Sequence, residues 1–452
     1  MKIRTFKIGG IHMPDCKIAA ETATVPAVLP AKAVYPLSQH IGAPAKPLVK
    51  KGDHVRVGTV LAEAGGFVSA PVHSSISGTV VRIDSVYDAS GYRRQAIIVE
   101  SDGLDEWEPS IDRTADIEGL DSHPELTPQE IIERVTSAGV TGMGGAGFPA
   151  CVKLMPPPGT VECVIINGVE CEPYITSDYR LMMEHADEVI VGLQLLMKAL
   201  GVTKGYIGIE VNKPKAISLL EQKVSGLDGV EVVPLKQAYP QGGEKQLIDA
   251  VLGRRVPMPP AIPANVGAVV QNVATTYAVY QAVMKHKPLM ERYVTVSGYG
   301  LSKSDNLLVR MGTSFGDLLK QCGGLPEGDV KVLSGGPMMG KTVINLDVPV
   351  VKGTNAITVL SGDGVYRDEP RPCVRCAKCV SVCPMGLEPY LLAIASAGKD
   401  WERVEHEDIV SCIECGSCQY SCPSARPLLD NIRNGKSAVM GIIKARKAAQ
   451  KQ

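Results

Sequence analysis

The chain has 452 residues, 45% of them hydrophobic and 21% charged, with a formal net charge of −1. That length exceeds a single core and calls for several domains, and the near-neutral balance gives no whole-chain attraction to nucleic acid or to a membrane surface. The opening residues lack an apolar signal core and nowhere do about 18 apolar residues run together, so the expectation is a protein kept in a reducing compartment that does not itself span a membrane.

Residues 1–34 read as irregular and Pro-rich, opening with Phe6-Lys7-Ile8-Gly9-Gly10-Ile11-His12. From Tyr35 to about Ser101, short β-type runs are punctuated by glycine: Leu48-Val49, Lys51-Gly52-Asp53, Val57-Gly58 and Val60-Leu61-Ala62, then Ala70-Pro71 and Ser77-Gly78-Thr79-Val80-Val81. This pattern resembles the biotinyl/lipoyl barrel-sandwich fold, whose carrier versions present a modified Lys on a tight hairpin. No Lys occurs between Lys51 and Lys153, so a docking module is expected and not a swinging arm. Residues 102–126 are acidic and poor in apolar residues, which reads as a linker or a solvated wrap.

Thr127-Pro128-Gln129-Glu130 supplies an N-cap, a proline at the first helical position and an acidic first turn, predicting a helix through about Ala138. Gly142-Met143-Gly144-Gly145-Ala146-Gly147-Phe148-Pro149 follows, a backbone able to turn its N–H groups onto a phosphate, although a plain Gly-rich turn has the same composition. Val161–Ile166 reads as a buried strand ending in the polar cluster Asn167-Gly168-Val169-Glu170-Cys171-Glu172. In open α/β sheets such strand ends hold ligands. A helix over Tyr179–Leu200, a strand over Gly205–Val211, a helix over Lys213–Leu227 and a strand over Val230–Pro234 predict a mostly parallel sheet. The loop Tyr239–Glu244 leads into a helix ending near Leu252, and Val269–Thr275 opens another through Met284. The stretch Tyr293–Val343, ending near Gly335-Gly336-Pro337-Met338-Met339-Gly340, resembles the soluble-ligand-binding β-grasp (SLBB) module, here expected to act as a spacer.

Cys373, Cys376, Cys379 and Cys383-Pro384 are spaced C-x2-C-x2-C-x3-C-P, and Cys412, Cys415, Cys418 and Cys422-Pro423 repeat that spacing. Thiolates at this spacing bind paired 4Fe–4S clusters, the fourth Cys of each run crossing to the other cluster. One cluster therefore takes Cys373, Cys376, Cys379 and Cys422, and its twin Cys412, Cys415, Cys418 and Cys383. Zinc sites would leave the triplets and the trailing prolines unexplained, and a disulfide framework does not suit a long chain without a secretory signal. After Pro423 the chain is basic, with Arg433, Lys436, Lys444, Arg446 and Lys447 interleaved with apolar residues. It reads as a frayed basic helix, or as a docking element for a partner or an anionic surface.

The stretches Gly142–Leu154, Asn167–Met182, Tyr239–Glu244 and Val269–Thr276 resemble, in order, the flavin- and NADH-binding subunit of respiratory complex I. That resemblance implies FMN held by Gly142 and Gly144, reached by Lys153, with Phe148 on the nicotinamide side. It places Asn167 and Glu170 at the flavin, Glu172 and Glu244 toward NADH, and Asn272 and Thr275 at the flavin phosphate. Tyr239 and Gly242 complete the expected cofactor-binding set. Two positions depart: Val169 stands where complex I has Asp, and Gly243 where it has an acid.

With the barrel-sandwich module ahead of the flavin domain and two cluster runs behind it, the whole chain resembles the C-subunit family of Rnf ion-translocating electron-transport complexes. The resemblance implies a peripheral subunit on the cytoplasmic face of the cell membrane that works with NAD(H), FMN and two 4Fe–4S clusters. It exchanges electrons indirectly with ferredoxin through the membrane and iron–sulfur subunits of the complex. The expected fold is multidomain α/β plus β. Residues 1–126 hold the N-terminal segment, barrel-sandwich module and acidic linker, and 127–288 a Rossmann-like FMN/NAD domain. Residues 289–361 form the β-grasp module, 362–428 a helical two-cluster ferredoxin-type domain and 429–452 the basic tail. A soluble FMN-dependent cobalamin reductase has the same modules in another order, and a scaffold with a decayed flavin site would also account for Val169 and Gly243.

Overall fold

The structure, a computed structural model, describes residues 3–145 and 147–450. Two antiparallel sheets build the barrel-sandwich module. Lys32–Pro36, Arg93–Ser101, Gly78–Tyr87 and His54–Val55 form one; Lys46–Pro47, Val60–Glu63 and Val72–His73 form the other. Their shared core includes Tyr35, Leu61, Val72, Val80, Ile97 and Val99, which alternation along each strand turns inward.

The acidic stretch that follows is not a loose linker. Trp107 pairs with Val57 at an isolated parallel bridge, and its ring lies under Arg113, Arg310 and Lys287, at 4.5, 4.6 and 5.5 Å from the centroid. Asp112 accepts from Lys285 Nζ at 2.6 Å. The surplus of carboxylates is thus consumed by cations of later modules, and the stretch acts as a strap.

Thr127 caps the helix Pro128–Ser137 with the predicted capping box, its hydroxyl accepting from Glu130 N–H and Glu130 returning to the Thr127 N–H. The sheet beyond is fully parallel, in the order Val230–Leu235, Lys204–Glu210, Cys163–Asn167, Ala268–Asn272. Helices pack on both faces, Ala186–Leu200 and Val273–Met284 on one side and Glu244–Leu252 on the other. The helix expected over Tyr179–Leu200 is two helices, Ser177–Glu184 and Ala186–Leu200. They break at His185, whose ring nitrogens lie 2.8 Å from Glu188 Oε1 and 2.7 Å from the Tyr293 hydroxyl.

The β-grasp sheet is mixed, in the order Val25–Pro26, Asp305–Arg310, Glu291–Ser297, Ala356–Ser361, Val330–Ser334, Lys341–Thr342, with the helix Phe315–Gln321 against it. Its first strand comes from the N-terminal segment. Residues 3–26 are a second strap: Arg4 adds to the edge strand Val230–Leu235, Ile11 pairs with Tyr239, and Gly10 N–H donates to Val382 O at 2.9 Å. Lys352, fully buried, donates to Pro71 O and Gly139 O, both at 2.6 Å, and so joins three modules at one point. The last module is helical. The basic segment forms the helix Leu428–Ala449, which packs on Pro389–Ala397 and Trp401–His406, burying Leu428, Ile432 and Val439 in the core that also contains Cys383 and Cys418.

Candidate functional site

The C-terminal edge of the parallel sheet gathers most of the residues singled out in the sequence. Asn272 and Asn167 are register partners and stand side by side at that edge. Asn272 caps the helix Val273–Met284, its Oδ1 accepting from Ala274 N–H at 2.9 Å, and Thr275 one turn later accepts from Met143 N–H at 2.9 Å. The Gly-rich loop is therefore pinned to a helix N-terminus, where free N–H groups and the helix dipole favour an anion. Gly142 N–H closes the loop on Phe148 O at 2.7 Å, and Ala146 lies outside the described residues. A Cβ on Gly144 would stand 2.9 Å from the Asn272 side chain, so this close approach requires glycine.

Lys153, closing the short helix Ala150–Lys153, donates to Glu244 Oε1 at 2.6 Å and to Val270 O at 3.0 Å. Asn167 Nδ2 donates to Gly242 O at 2.8 Å. Gly142, Gly144, Phe148, Lys153, Asn167, Gly242, Glu244, Asn272 and Thr275 thus form one constellation. Gly144 and Gly145 present exposed backbone, while Thr141 Oγ1, Ser177 Oγ and Gln241 Nε2 are buried polar atoms without a protein partner. An exposed glycine backbone at a capped helix end, beside an ammonium group and a side-chain amide, fits a flavin phosphate and an isoalloxazine edge.

The three other expected cofactor residues face protein. Glu170 accepts from Asp178 N–H (2.7 Å) and Tyr179 N–H (3.4 Å), holding the start of the helix Ser177–Glu184, and Lys17 Nζ stands 3.9 Å away. Glu172 accepts from Met338 N–H (3.1 Å) and Met339 N–H (2.7 Å) of the β-grasp loop. Burial raises both carboxyls to about 7. Tyr239 is 2% exposed and donates its hydroxyl proton to Cys415 O at 2.7 Å. A buried carboxylate needs donors, and these two find them on the backbone before any ligand.

The two departures from the complex I pattern sit in surroundings that do not favour an acid. Val169 is fully buried in the sheet core, and a Cβ on Gly243 would meet Gln246 Oε1 at 2.4 Å. Three residues were missed in the sequence. Asp178, whose carboxyl burial pushes up, accepts from Asn272 Nδ2 at 2.6 Å. Arg292, buried and lowered to about 10, donates to Met143 O at 3.3 Å from beneath the Gly-rich loop. Lys17 places its ammonium on the carbonyls of Glu170, Glu172 and Ile175 at 2.8, 2.9 and 2.6 Å. A charged residue at the head of an apolar strand was a usable signal for Arg292; nothing local marks Lys17.

The two cysteine runs fold alike. Arg375 and Glu414, Ala377 and Gly416, and Gly386 and Ala425 occupy matched positions, and all of them have positive φ. The first two pairs flank Cys376 and Cys415, and the last pair follows Cys383 and Cys422 by one turn, so both runs curl their backbones around the thiols at the same places. Cys383, Cys412, Cys415 and Cys418 line one pocket, and Cys379, whose thiol burial pushes up, lies within reach of the Cys422 charge. Backbone N–H groups already point at sulfur: Leu387 to Cys383 Sγ and Glu414 to Cys412 Sγ, each at 3.4 Å. The four thiols of that pocket, Cys383, Cys412, Cys415 and Cys418, are the donor set a 4Fe–4S cluster takes. The two sets differ in exposure. Cys383, Cys415 and Cys418 are buried, whereas Cys373 and Cys376 are exposed.

Four families match in chain order: the RnfC barrel sandwich hybrid domain over 5–104, the Nuo51 FMN-binding domain over 135–281, the SLBB domain over 293–342 and the 4Fe-4S dicluster domain over 365–423. The C subunit of the Na(+)-translocating ferredoxin:NAD(+) oxidoreductase complex of Acetobacterium woodii is 43% identical, covering 97% of this chain and 98% of that one. The C subunit of the proton-translocating complex of Clostridium ljungdahlii is 44% identical over 90% of this chain and 87% of its own. That of the ion-translocating complex of Rhodobacter capsulatus is 41% identical over 86% and 75%. Among solved structures, the NAD+-reducing NiFe-hydrogenase in its H2-reduced state superposes with a TM-score of 0.50 at 21% identity, over 69% of this chain and 62% of that one, a likeness of fold alone.

Proposed function

This chain belongs to the family of C subunits of ion-translocating ferredoxin:NAD(+) oxidoreductase complexes, and from that membership we propose how its residues divide the work. It is an electron-transfer subunit of such a complex, with an FMN-binding domain and a 4Fe–4S dicluster domain. The finer reading is that NAD(H) exchanges electrons at the sheet edge and two clusters carry them to and from the remaining subunits. The observation that carries it is the constellation at that edge, whose loop Tyr239–Glu244 holds Asn167 at one end and Cys415 at the other.

FMN, when bound, accepts an electron pair as hydride and can release the electrons singly, which iron–sulfur clusters require. Gly142, Gly144 and the Asn272–Thr275 helix start would seat its phosphate, and Asn167, Lys153 and Gly242 would orient the ring system. Phe148 and Glu244 would flank the nicotinamide. Glu170, Glu172 and Asp178 act behind these groups, as the framework that fixes the loop. Cys383, Cys412, Cys415 and Cys418 would hold the inner cluster, beside Tyr239, and Cys373, Cys376, Cys379 and Cys422 the outer one, whose exposed ligands suit hand-over to a neighbouring protein of the complex. The division into modules at 126, 288, 361 and 428 is proposed on the same basis. No described helix is long and apolar enough to cross a membrane, which fits ion transport by other subunits; the resemblance to the family carries the proposal that this one is peripheral, on the cytoplasmic face.

The test is anaerobic. The full chain, reconstituted with FMN, iron and sulfide, should show NADH bleaching the flavin band, followed by reduction of two spin-countable clusters. A flavin that stays oxidised under excess NADH would refute the NAD(H) reading, and a count of one cluster the crossed assignment.

A further inference from the structure

We propose that Tyr239 is the positioning residue that fixes the inner cysteine set to the flavin-side sheet and sets that cluster's preference for an electron. The inference rests on the two-cluster reading above. Its first observation is the phenol itself, enclosed at 2% exposure and donating to the carbonyl of Cys415 at 2.7 Å.

The second observation comes from the N-terminal strap. Tyr239 N–H and C=O exchange hydrogen bonds with Ile11 at 2.9 and 2.8 Å, and the preceding Gly10 N–H reaches Val382 O at 2.9 Å. At Gly9, with φ of 65°, a Cβ would stand 2.5 Å from the carbonyl carbon and oxygen of Cys383. Two of the four inner ligands, one from each run, are therefore gripped by the flavin side of the molecule. The equivalent of Cys415 in the first run is Cys376, which is exposed. Two runs of nearly identical spacing thus sit in unequal surroundings, and the inequality is made by Tyr239 and the strap.

Behind the phenol the connection is covalent for four residues, from Tyr239 to Gly242, whose carbonyl accepts from Asn167 Nδ2 at 2.8 Å. Two hydrogen bonds and one short peptide thus link the sheet edge to a cluster ligand. A hydrogen bond donated to the carbonyl of a ligating Cys draws electron density from that ligand's peptide, which would favour the reduced form of the cluster it holds.

Tyr239→Phe in the full reconstituted chain removes only the hydroxyl. Flavin and iron content are measured first. A potentiometric titration followed by electron paramagnetic resonance, using dithionite and mediators and not NADH, then reports each cluster separately. One of the two clusters is expected to become harder to reduce, by about three- to tenfold in its reduced-to-oxidised ratio at a fixed potential, the scale of one lost hydrogen bond. The other should not move. With NADH as the reductant, reduction of the shifted cluster should slow. Gly9→Ala, pressing on Cys383 from the strap, should disturb the same cluster. Two unmoved potentials in Tyr239→Phe, or equal changes in both clusters, would overturn the proposal. Selective loss of one cluster's iron in either variant supports it. If NADH leaves the unmodified chain's flavin oxidised, the NAD(H) reading fails, yet the dithionite titration still decides the role of Tyr239.

Discussion

Gly144 and Glu172 show how much a single residue discloses of its work. Glycines at 142 and 144 read in the sequence as a phosphate-type loop, and Gly144 does press on Asn272 where a side chain would collide. Overpacking usually costs about 1–3 kcal/mol, so Gly144→Ala is expected to bind FMN at least about fivefold more weakly, measured by titrating the apoprotein with flavin. Equal affinity would show that the flavin does not sit on this loop. Glu172 resembled an NADH-side acid, because a motif places a residue in a stretch without fixing where its side chain goes. Its partners, the Met338 and Met339 N–H groups, lie in a module the motif does not contain. Burial raises the carboxyls of Glu170 and Glu172 from 4.5 to about 7. The folded state therefore binds protons more tightly than the unfolded one, and this contribution to stability, full below about pH 4.5, is lost as pH rises through 7. The melting temperature should fall between pH 5.5 and 8, and Glu172→Gln should flatten that slope; a slope unchanged by the substitution would contradict the assignment.

Helices and strands whose signals are local were legible. The capping box of Thr127 and Glu130, the alternation of strands and helices and the cysteine spacing each follow from neighbours in sequence. Thr127→Ala should cost about 1 kcal/mol, seen as a lower midpoint in urea without any change in flavin content. Elements set by distant partners were not legible. The break at His185 depends on Tyr293, and the acidic stretch closes as a strap only because Lys285, Lys287 and Arg310 come to meet it. The basic helix is a similar case. Lys436 Nζ donates to Cys412 O at 2.7 Å and pairs with Glu414 at 3.0 Å, so part of its charge serves the inner cysteine loop. Lys436→Met is expected to make the reconstituted clusters more labile to air, followed as faster bleaching of the iron–sulfur absorption; an unchanged rate would leave that lysine a surface charge.

At the scale of the molecule, the order of modules could be read from the chain and their joints could not. Composition separates a β-rich segment from an α/β one, but the joints are made by residues far apart in sequence, among them Lys352 with Pro71 and Gly139, Trp107 with Arg310, and Gly10 with Val382. Trp107→Ala should cost up to about 3 kcal/mol, the low end for tryptophan truncation since this ring is only half-buried. Amide exchange should then speed up around Val57 and the Asp105–Ile111 strap while the parallel sheet keeps its protection. Uniform loosening across all modules would argue that the ring supports the whole fold and not one joint.

The N-terminal strap also bears on how the protein comes to be made. Gly9 and Gly10 leave the ribosome long before Val382 and Cys383, the residues they meet in the cysteine module. Until then the opening residues have no cysteine loop to close on, and their non-local pairing is among the last and slowest to form. Completion of the strap is therefore coupled in time to the appearance of the first cysteine run. In a nascent chain stalled before Val382, the Gly10 amide should exchange freely while the Arg4 and Ile11 amides, whose partners Pro234 and Tyr239 have already emerged, are protected. The strap thus makes biosynthesis itself a checkpoint: a segment that can dock early along the flavin side is finished only when the cysteine module arrives.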